Sequence, residues 1–563
     1  MDRHNVVKNH LGGRSMVYQQ KPWLKLYDSK VSENVSVEYS SLFDLLDRSS
    51  AIYGEKPALT FYGRSWNFND LKLVAEAYAA SLHNNGFKKG DRMSIMLPNS
   101  PHYIFSLFGS FRLGGINVQV NPMYVEREIE HVLADSGSEF IIVLDTLYQK
   151  VKNVQPKTNL KEIIVVNLGG EKIALEEGDR YFEDFLAEGK ILPETTIDPY
   201  EDVAMLQYTS GTTGVSKGVM LTHQNLLANV VQVCDFVYRP FEELIPEDFK
   251  MISVLPMFHV FGLSCNAIAG IREGANQLVL PRFDPQELME VVKTEKPFQM
   301  SAVPTMYFAL NSHPGIEESG FGDIHYMSSG GAPLPVEQIK VFEEKTGGRL
   351  LNGYGQSELS PSPIFNPPFL ESRPGSVGIP IPSTEARIVE ITVDGEMIDV
   401  AVGEPGELII KGPQVMKGYW NRPEDTEKTI KDGWLLTGDI AKMDEDGYFY
   451  IMDRKKDMII ASGYNVYPAE VEDVLYQLQG VEEAVVIGVP DEYRGETVKA
   501  FLKIKESEFL STEDIIAFAK KNLAPYKVPK QVEILEELPK SSVGKLLRRV
   551  LRDQELQKQK IGV

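Results

Sequence analysis

Two cysteines, Cys234 and Cys265, are all that 563 residues contain. Both lie in apolar or helical-looking segments, so they read as small buried residues of a reducing compartment and exclude a disulfide framework. Basic residues are also short, with 58 Lys and Arg against 80 Asp and Glu, a formal net charge of -22. That balance argues against nucleic acid as a partner, because binding to phosphate backbones draws on basic surface. An anionic nucleotide would then need local cations, which makes each Lys and Arg beside a polar loop informative. No apolar run reaches the ~18 residues of a membrane span; the longest, Ile104 to Val120, is broken by Arg112 and by glycines. The first residues carry charge and lack an apolar signal core, which predicts that the chain is not secreted. Internal repeats, low-complexity tracts and a dedicated amphipathic anchor are missing too. The expectation is a cytoplasmic protein, with peripheral membrane contact and a homodimer both left open.

What the chain does have is alternation of helices and short apolar strands. Residues 1–40 are polar and irregular, with Pro22-Trp23-Leu24 as the one anchor. Asp70 reads as the cap of a helix whose stripe runs Leu71, Val74, Ala75, Tyr78, Ala79 and Leu82. Strand-like runs follow at Arg92–Leu97, Ile116–Val120, Phe140–Leu144 and Ile163–Val166. This rhythm predicts an α/β fold with largely parallel sheets over residues 41–453. From about residue 375 closely spaced Gly, Pro and Asp turns predict a β-barrel-like subdomain. The charged run Asp453-Arg454-Lys455-Lys456-Asp457 reads as a hinge over 454–457. Residues 458–563 read as a small α+β domain.

The densest stretch is Tyr208-Thr209-Ser210-Gly211-Thr212-Thr213-Gly214-Val215-Ser216-Lys217-Gly218. An apolar run leads into it, and Thr222 caps a helix behind it. Glycines let backbone N–H groups close on an anion, while Ser, Thr and Lys add donors and charge. The stretch is not a Walker loop, since no Gly-Lys-Ser/Thr opens the helix. Four further small or polar segments fall at strand ends, where α/β folds place ligands. They are Met257 to Gly262, Ser301 to Thr305, Tyr326 to Pro333 and Leu351 to Glu358.

In this order the segments resemble the adenylate-forming superfamily of acyl-CoA synthetases, luciferases and peptide-synthetase adenylation domains. Asp432-Gly433-Trp434-Leu435-Leu436-Thr437-Gly438-Asp439-Ile440 with Asp453 to Asp457 is similar to the fatty acyl-CoA synthetase signature of its long-chain acyl-CoA ligase branch. The likeness covers nearly all of the chain past residue 40 and implies the adenylate-forming enzyme fold. It implies ATP, Mg²⁺ and CoA as cofactor and co-substrates, and a long-chain fatty acid as the acid activated.

Carried over by motif, Thr209, Ser210, Gly211, Thr212, Thr213, Gly214 and Lys217 would hold phosphates. Thr209 and Glu358 would take Mg²⁺, a pairing of hard oxygens that suits it. Tyr354 and Gly355, with Gly331, Ala332 and Pro333 opposite, would enclose adenine. Asp439 would accept from the ribose hydroxyls, with Arg454 in the same signature. Ser357 stands where the family more often has threonine and keeps the hydroxyl for the α-phosphate. His259 would sit near the acyl carboxylate, although a lone histidine is as often a satisfied core residue. Phe258, Val260, Gly262, Ser264, Val303, Gly330 and Gly331 would line the acyl pocket. Lys545, in Pro539-Lys540-Ser541-Ser542-Val543-Gly544-Lys545, would bridge carboxylate and α-phosphate. Lys456 would be the hinge, and Gly463 would pass the pantetheine of CoA. Three rivals stay open at this level: a ligase for aryl or medium-chain acids, a fatty acyl-AMP ligase loading a carrier protein, and a non-catalytic acyl or nucleotide-binding protein.

Overall fold

A computed structural model describes residues 17–561 apart from 188, 190, 210–215, 462–463, 492–494 and 542–543. Ser210, Gly211, Thr212, Thr213 and Gly214 of the glycine-rich loop, and Gly463, therefore lie outside the described residues. The helix–strand rhythm resolves into two mainly parallel sheets. In one, the strands Arg92–Met96, Ile116–Gln119, Phe140–Leu144, Glu162–Val166 and Val203–Thr209 all run parallel. Their apolar runs are continuous because both faces are covered: Ile141, Ile142 and Val143 are each fully buried. In the other, Lys250–Ser253, Asn276–Val279, Gln299–Ala302, Tyr326–Ser329 and Leu350–Tyr354 are parallel neighbours. Short antiparallel strands at Ile364–Phe365 and Ile379–Pro380 extend that sheet at one edge.

The turn-rich stretch forms an antiparallel sheet in which Trp434–Met443 pairs with both Gly406–Lys411 and Phe449–Arg454. Trp23 is 1% exposed and meets Phe449 of this sheet edge-on, at 6.0 Å between centroids, so the anchor read from Pro22-Trp23-Leu24 is a packed one. Beyond the charged run, Val481–Asp491, Gly495–Ile504 and Gln531–Ile534 form a separate sheet. Helices Pro468–Tyr476 and Thr512–Asn522 cover it around a core of its own that includes Val471, Leu475, Val486, Ala500 and Ile515. The last helix, Arg548–Ile561, follows the lysine motif.

Two local readings need correction. The helix expected to start at Asp70 starts at Phe68: Asn67 is the cap, and Asp70 accepts a hydrogen bond from the Asn67 N–H as the third residue of a capping box. Asparagine and aspartate are both good caps, and the reciprocal pair satisfies two otherwise orphaned donors, which selects the earlier start. The glycine-rich loop does not run from strand to helix. Lys217–Thr222 is a strand antiparallel to Val203–Thr209, with Thr209 opposite Lys217, so the loop closes a hairpin. The helix His223–Val237 begins only after it, capped by Thr222 as expected.

Candidate active site

A cavity of about 590 Å³ opens at the C-terminal ends of the parallel strands, with the antiparallel sheet and the lysine motif closing over it. Thr209 and Lys217 reach it from the two stems of the hairpin, and His259 and Gly262 from the segment after Pro256. Gly331 and Ala332 come from the strand ending at Ser329, and Tyr354, Gly355, Ser357 and Glu358 from the next strand. Arg454 and Lys545 complete the wall. Residues separated by more than 300 positions, Thr209 and Lys545 among them, thus meet at one place, because several parallel strands deliver the segments after their ends to one edge and the lysine motif closes over it.

Not every expected residue faces the cavity. Asp439 lies behind the wall, 4% exposed, where its Oδ2 accepts from the Tyr354 hydroxyl at 2.7 Å and from Gln356 Nε2 at 2.7 Å. Its Oδ1 faces Arg454 Nε at 3.4 Å, across the register pair that joins these two residues. Pro333 and Lys456 also stand off the lining. Of the expected acyl residues, Phe258, Gly262, Val303, Gly330 and Gly331 line the cavity, whereas Val260 and Ser264 are buried in the packing behind it.

The electrostatics are specific. The His259 side chain is pushed down to about 4, chiefly by burial and then by the charge of Lys545, so it is neutral near pH 7. Its Nδ1 accepts from the Phe261 N–H at 3.2 Å, which places the ring proton on Nε2 and makes that atom a donor. Lys545 is pulled down to about 8, first by burial and then by the neighbouring Arg454. Its own backbone is fixed by Ser541, which accepts from the Lys545 N–H at 3.0 Å through Oγ and donates its N–H to the Lys545 carbonyl at 2.7 Å. Lys456 is lowered by burial, ahead of its charged neighbours.

Several contributors escape motif reading. Tyr419 donates its hydroxyl to Glu358 Oε1 at 2.8 Å, while Lys217 sits over the Tyr419 ring at 5.1 Å and pairs with Asp425 at 2.8 Å. The other oxygen of Glu358 has no hydrogen bond among the described residues. His131 holds the Ser216 carbonyl through Nε2 at 2.9 Å, and Asp135 accepts from the Tyr208 hydroxyl at 2.8 Å. One helix, Glu126–Ser136, therefore braces both stems of the hairpin. The only sequence signal for Tyr419 is an aromatic residue after Gly418, which is too common to single out.

Comparison with known proteins gives a consistent picture. The AMP-binding enzyme family matches residues 46–420, and the AMP-binding enzyme C-terminal domain matches residues 470–545. The chain is 42% identical over 557 residues to a long-chain-fatty-acid--CoA ligase of Bacillus subtilis, covering 95% of this chain and 98% of that one. It is 41% identical over 565 residues to the enzyme of that name from Salmonella typhimurium, with the same coverage. Among solved structures, the anthranilate CoA ligase AuaEII in complex with anthranoyl-AMP superposes with a TM-score of 0.85 at 27% identity, over 93% of this chain and 99% of that one. ATP-bound MatB from Rhodopseudomonas palustris gives 0.81 at 29%, over 92% and 99%.

Proposed function

The chain belongs to the AMP-binding enzyme family, and from that membership we propose that it is an ATP-dependent long-chain fatty acid–CoA ligase working through acyl-AMP. The observation that carries the reading is the meeting of Lys545, Arg454 and neutral His259 on one cavity that Phe258, Gly262, Val303 and two glycines also line. A carboxylate is a poor electrophile, so it is activated first. One carboxylate oxygen attacks the α-phosphorus of ATP, the bond to the β-phosphate oxygen breaks, and pyrophosphate leaves with that electron pair. The CoA sulfur, its thiol proton lost to solvent, then adds to the acyl carbon and expels AMP.

Each residue has a defined part. Lys545 brings its ammonium to the oxygens on which charge builds as the acid meets the α-phosphate, where a fixed cation acts most strongly. His259 donates Nε2–H to the acid's second oxygen and stays neutral, so it orients without competing for a proton. Tyr354 and Gly355 flank adenine opposite Gly331 and Ala332. Asp439, steadied by Tyr354 and Gln356 behind the cavity wall, faces Arg454 through Oδ1 and orients that guanidinium toward the nucleotide. Thr209 and Glu358 offer oxygen donors that fit Mg²⁺ among water and phosphate ligands. When bound, the ion would neutralise phosphate charge. Lys456 is the pivot between a large unit ending near 453 and a small unit beginning near 458.

Pyrophosphate release with acids of graded length, with and without CoA, tests the reading. Sustained CoA-dependent turnover that peaks at long chains is the expected result. A burst that CoA does not relieve would point to a carrier-protein acceptor, a peak at short or aryl acids would change the substrate class, and no release with any acid would overturn the enzymatic reading.

Tyr419 gives a sharper check on the metal. Partners that orient a metal-binding carboxylate are worth about 10–100-fold in metal affinity. Tyr419→Phe should therefore raise the Mg²⁺ concentration for half-maximal activity by about that factor and leave the rate at saturating Mg²⁺ near wild type. An unchanged Mg²⁺ dependence would remove Glu358 from the metal site or Tyr419 from its support.

A further inference from the structure

The lysine that reaches the cavity and the strand that walls it are joined by buried charge. On the strand Phe449–Arg454, neighbouring side chains point to opposite faces. Arg454 faces the cavity and Asp439, while Asp453, 5% exposed, faces the small unit. There the Asp453 Oδ1 accepts from Arg548 Nη1 at 3.0 Å, and its Oδ2 accepts from the Ala469 N–H at 2.8 Å. Ala469 lies in the first turn of the helix Pro468–Tyr476, whose own cap residue, Tyr467, supplies no side-chain hydrogen bond. Arg548 uses its remaining nitrogens on Glu472 of that helix, Nε at 3.1 Å and Nη2 at 2.5 Å. One helical turn on, Arg552 reaches Asp457 at 3.2 Å. The spacing of Asp453 and Asp457 along the charged run matches that of Arg548 and Arg552 along the last helix, so the two elements are laid together as a ladder.

Arg548 is three residues after Lys545 and opens the helix that the lysine loop leads into. Resting on the ligase reading above, we propose that Arg548 is a positioning residue: by bridging Asp453 of the large unit and Glu472 of the small one, it holds Lys545 in the cavity for adenylation. A planar guanidinium with a fixed fork of donors suits two carboxylates at a set angle, which an ammonium cannot reproduce. Among these contacts, the Asp453–Arg548 bond and the Ala469 bond tie the end of the large unit's strand to the small unit. The ladder's second rung, Asp457–Arg552, lies on the small-unit side of Lys456. Any pivot at Lys456 that withdraws Lys545 must strain the first rung and can leave the second intact.

The test compares the two half-reactions in the full chain. Adenylation is followed as fatty-acid-dependent exchange of pyrophosphate into ATP, and thioester formation as the conversion of supplied acyl-AMP and CoA to acyl-CoA. Arg548→Lys and Asp453→Asn keep a donor or an acceptor in place, so they guard against the misfolding that an empty partner site invites. Both should lower exchange at least tenfold while acyl-CoA formation from supplied acyl-AMP stays within about twofold. Equal loss in both half-reactions would mark a merely structural role, and full exchange in both variants would mean the bridge does not place Lys545; either overturns the proposal. Wild-type chain with no acid-dependent exchange would overturn the ligase reading itself, and this proposal with it.

Discussion

Lys545→Ala should lower adenylation by about 10²–10³-fold, the usual cost of removing one preorganised group that stabilises transition-state charge. Thioester formation from supplied acyl-AMP should change by less than about twofold, since no charge then builds between acid and α-phosphate. Lys545 also predicts a pH signature. In the free enzyme its ammonium is held at about 8, so kcat/KM for adenylation should fall as pH rises through that value. Stability runs the other way. The folded state binds the proton less tightly than the unfolded chain does, whose lysines keep the ordinary value of 10.5. Between about 8 and 10.5 the unfolded chain therefore holds more protons, and this group's contribution to stability rises with pH. A rate that drops above pH 8 while the melting temperature does not is the pattern that isolates Lys545. Lys545→Arg should lose the alkaline limb, because guanidinium stays charged, and should remain slow, because a planar fork does not replace a point charge. An unchanged alkaline limb in Lys545→Arg would assign it to another group.

Why so much of this was readable from sequence is a matter of which interactions are local. The helix stripe at Leu71 to Leu82, the apolar run Phe140–Leu144 and the helix cap at Thr222 each declare themselves within a few residues. Lys545, Glu358 and Arg454 were legible because motifs preserve their spacing, and the fold brings all three to one cavity. What stayed hidden depends on pairings across the chain. Whether Lys217–Thr222 is a strand is decided by its partner Val203–Thr209, not by its six residues. Asp439 reads as a free carboxylate until Tyr354 and Gln356, more than 80 positions earlier, are seen to occupy one of its oxygens. Tyr419, His131 and Arg548 act on residues 61, 85 and 95 positions away, so no local pattern marks them.

Gly544→Val should reduce adenylation by about 10²-fold or more although it deletes no polar group. Gly544 has φ +75°, a left-handed backbone that a β-branched residue adopts only at a cost of order 1–3 kcal/mol. A Cβ there would also run into Thr305 Oγ1, on the helix Pro304–Ser312 of the large unit. The loop that carries Lys545 can therefore seat against the large unit only because position 544 has no side chain. The valine side chain should lift the loop, and Lys545 with it, out of reach of the cavity. Both obstacles can be separated. Thr305→Ala removes the hydroxyl and a methyl group but leaves the strained φ, so the double variant should recover part of the lost adenylation and not all of it. Contacting residues are expected to be non-additive in this way, and the size of the recovery measures the steric share. Acyl-CoA formation from supplied acyl-AMP should hold in Gly544→Val, because the proposed mechanism needs the lysine loop seated only for the first step. If both half-reactions fell together while the melting temperature stayed put, Gly544 would be serving the second step as well, and the division of labour assigned to the lysine loop would be wrong.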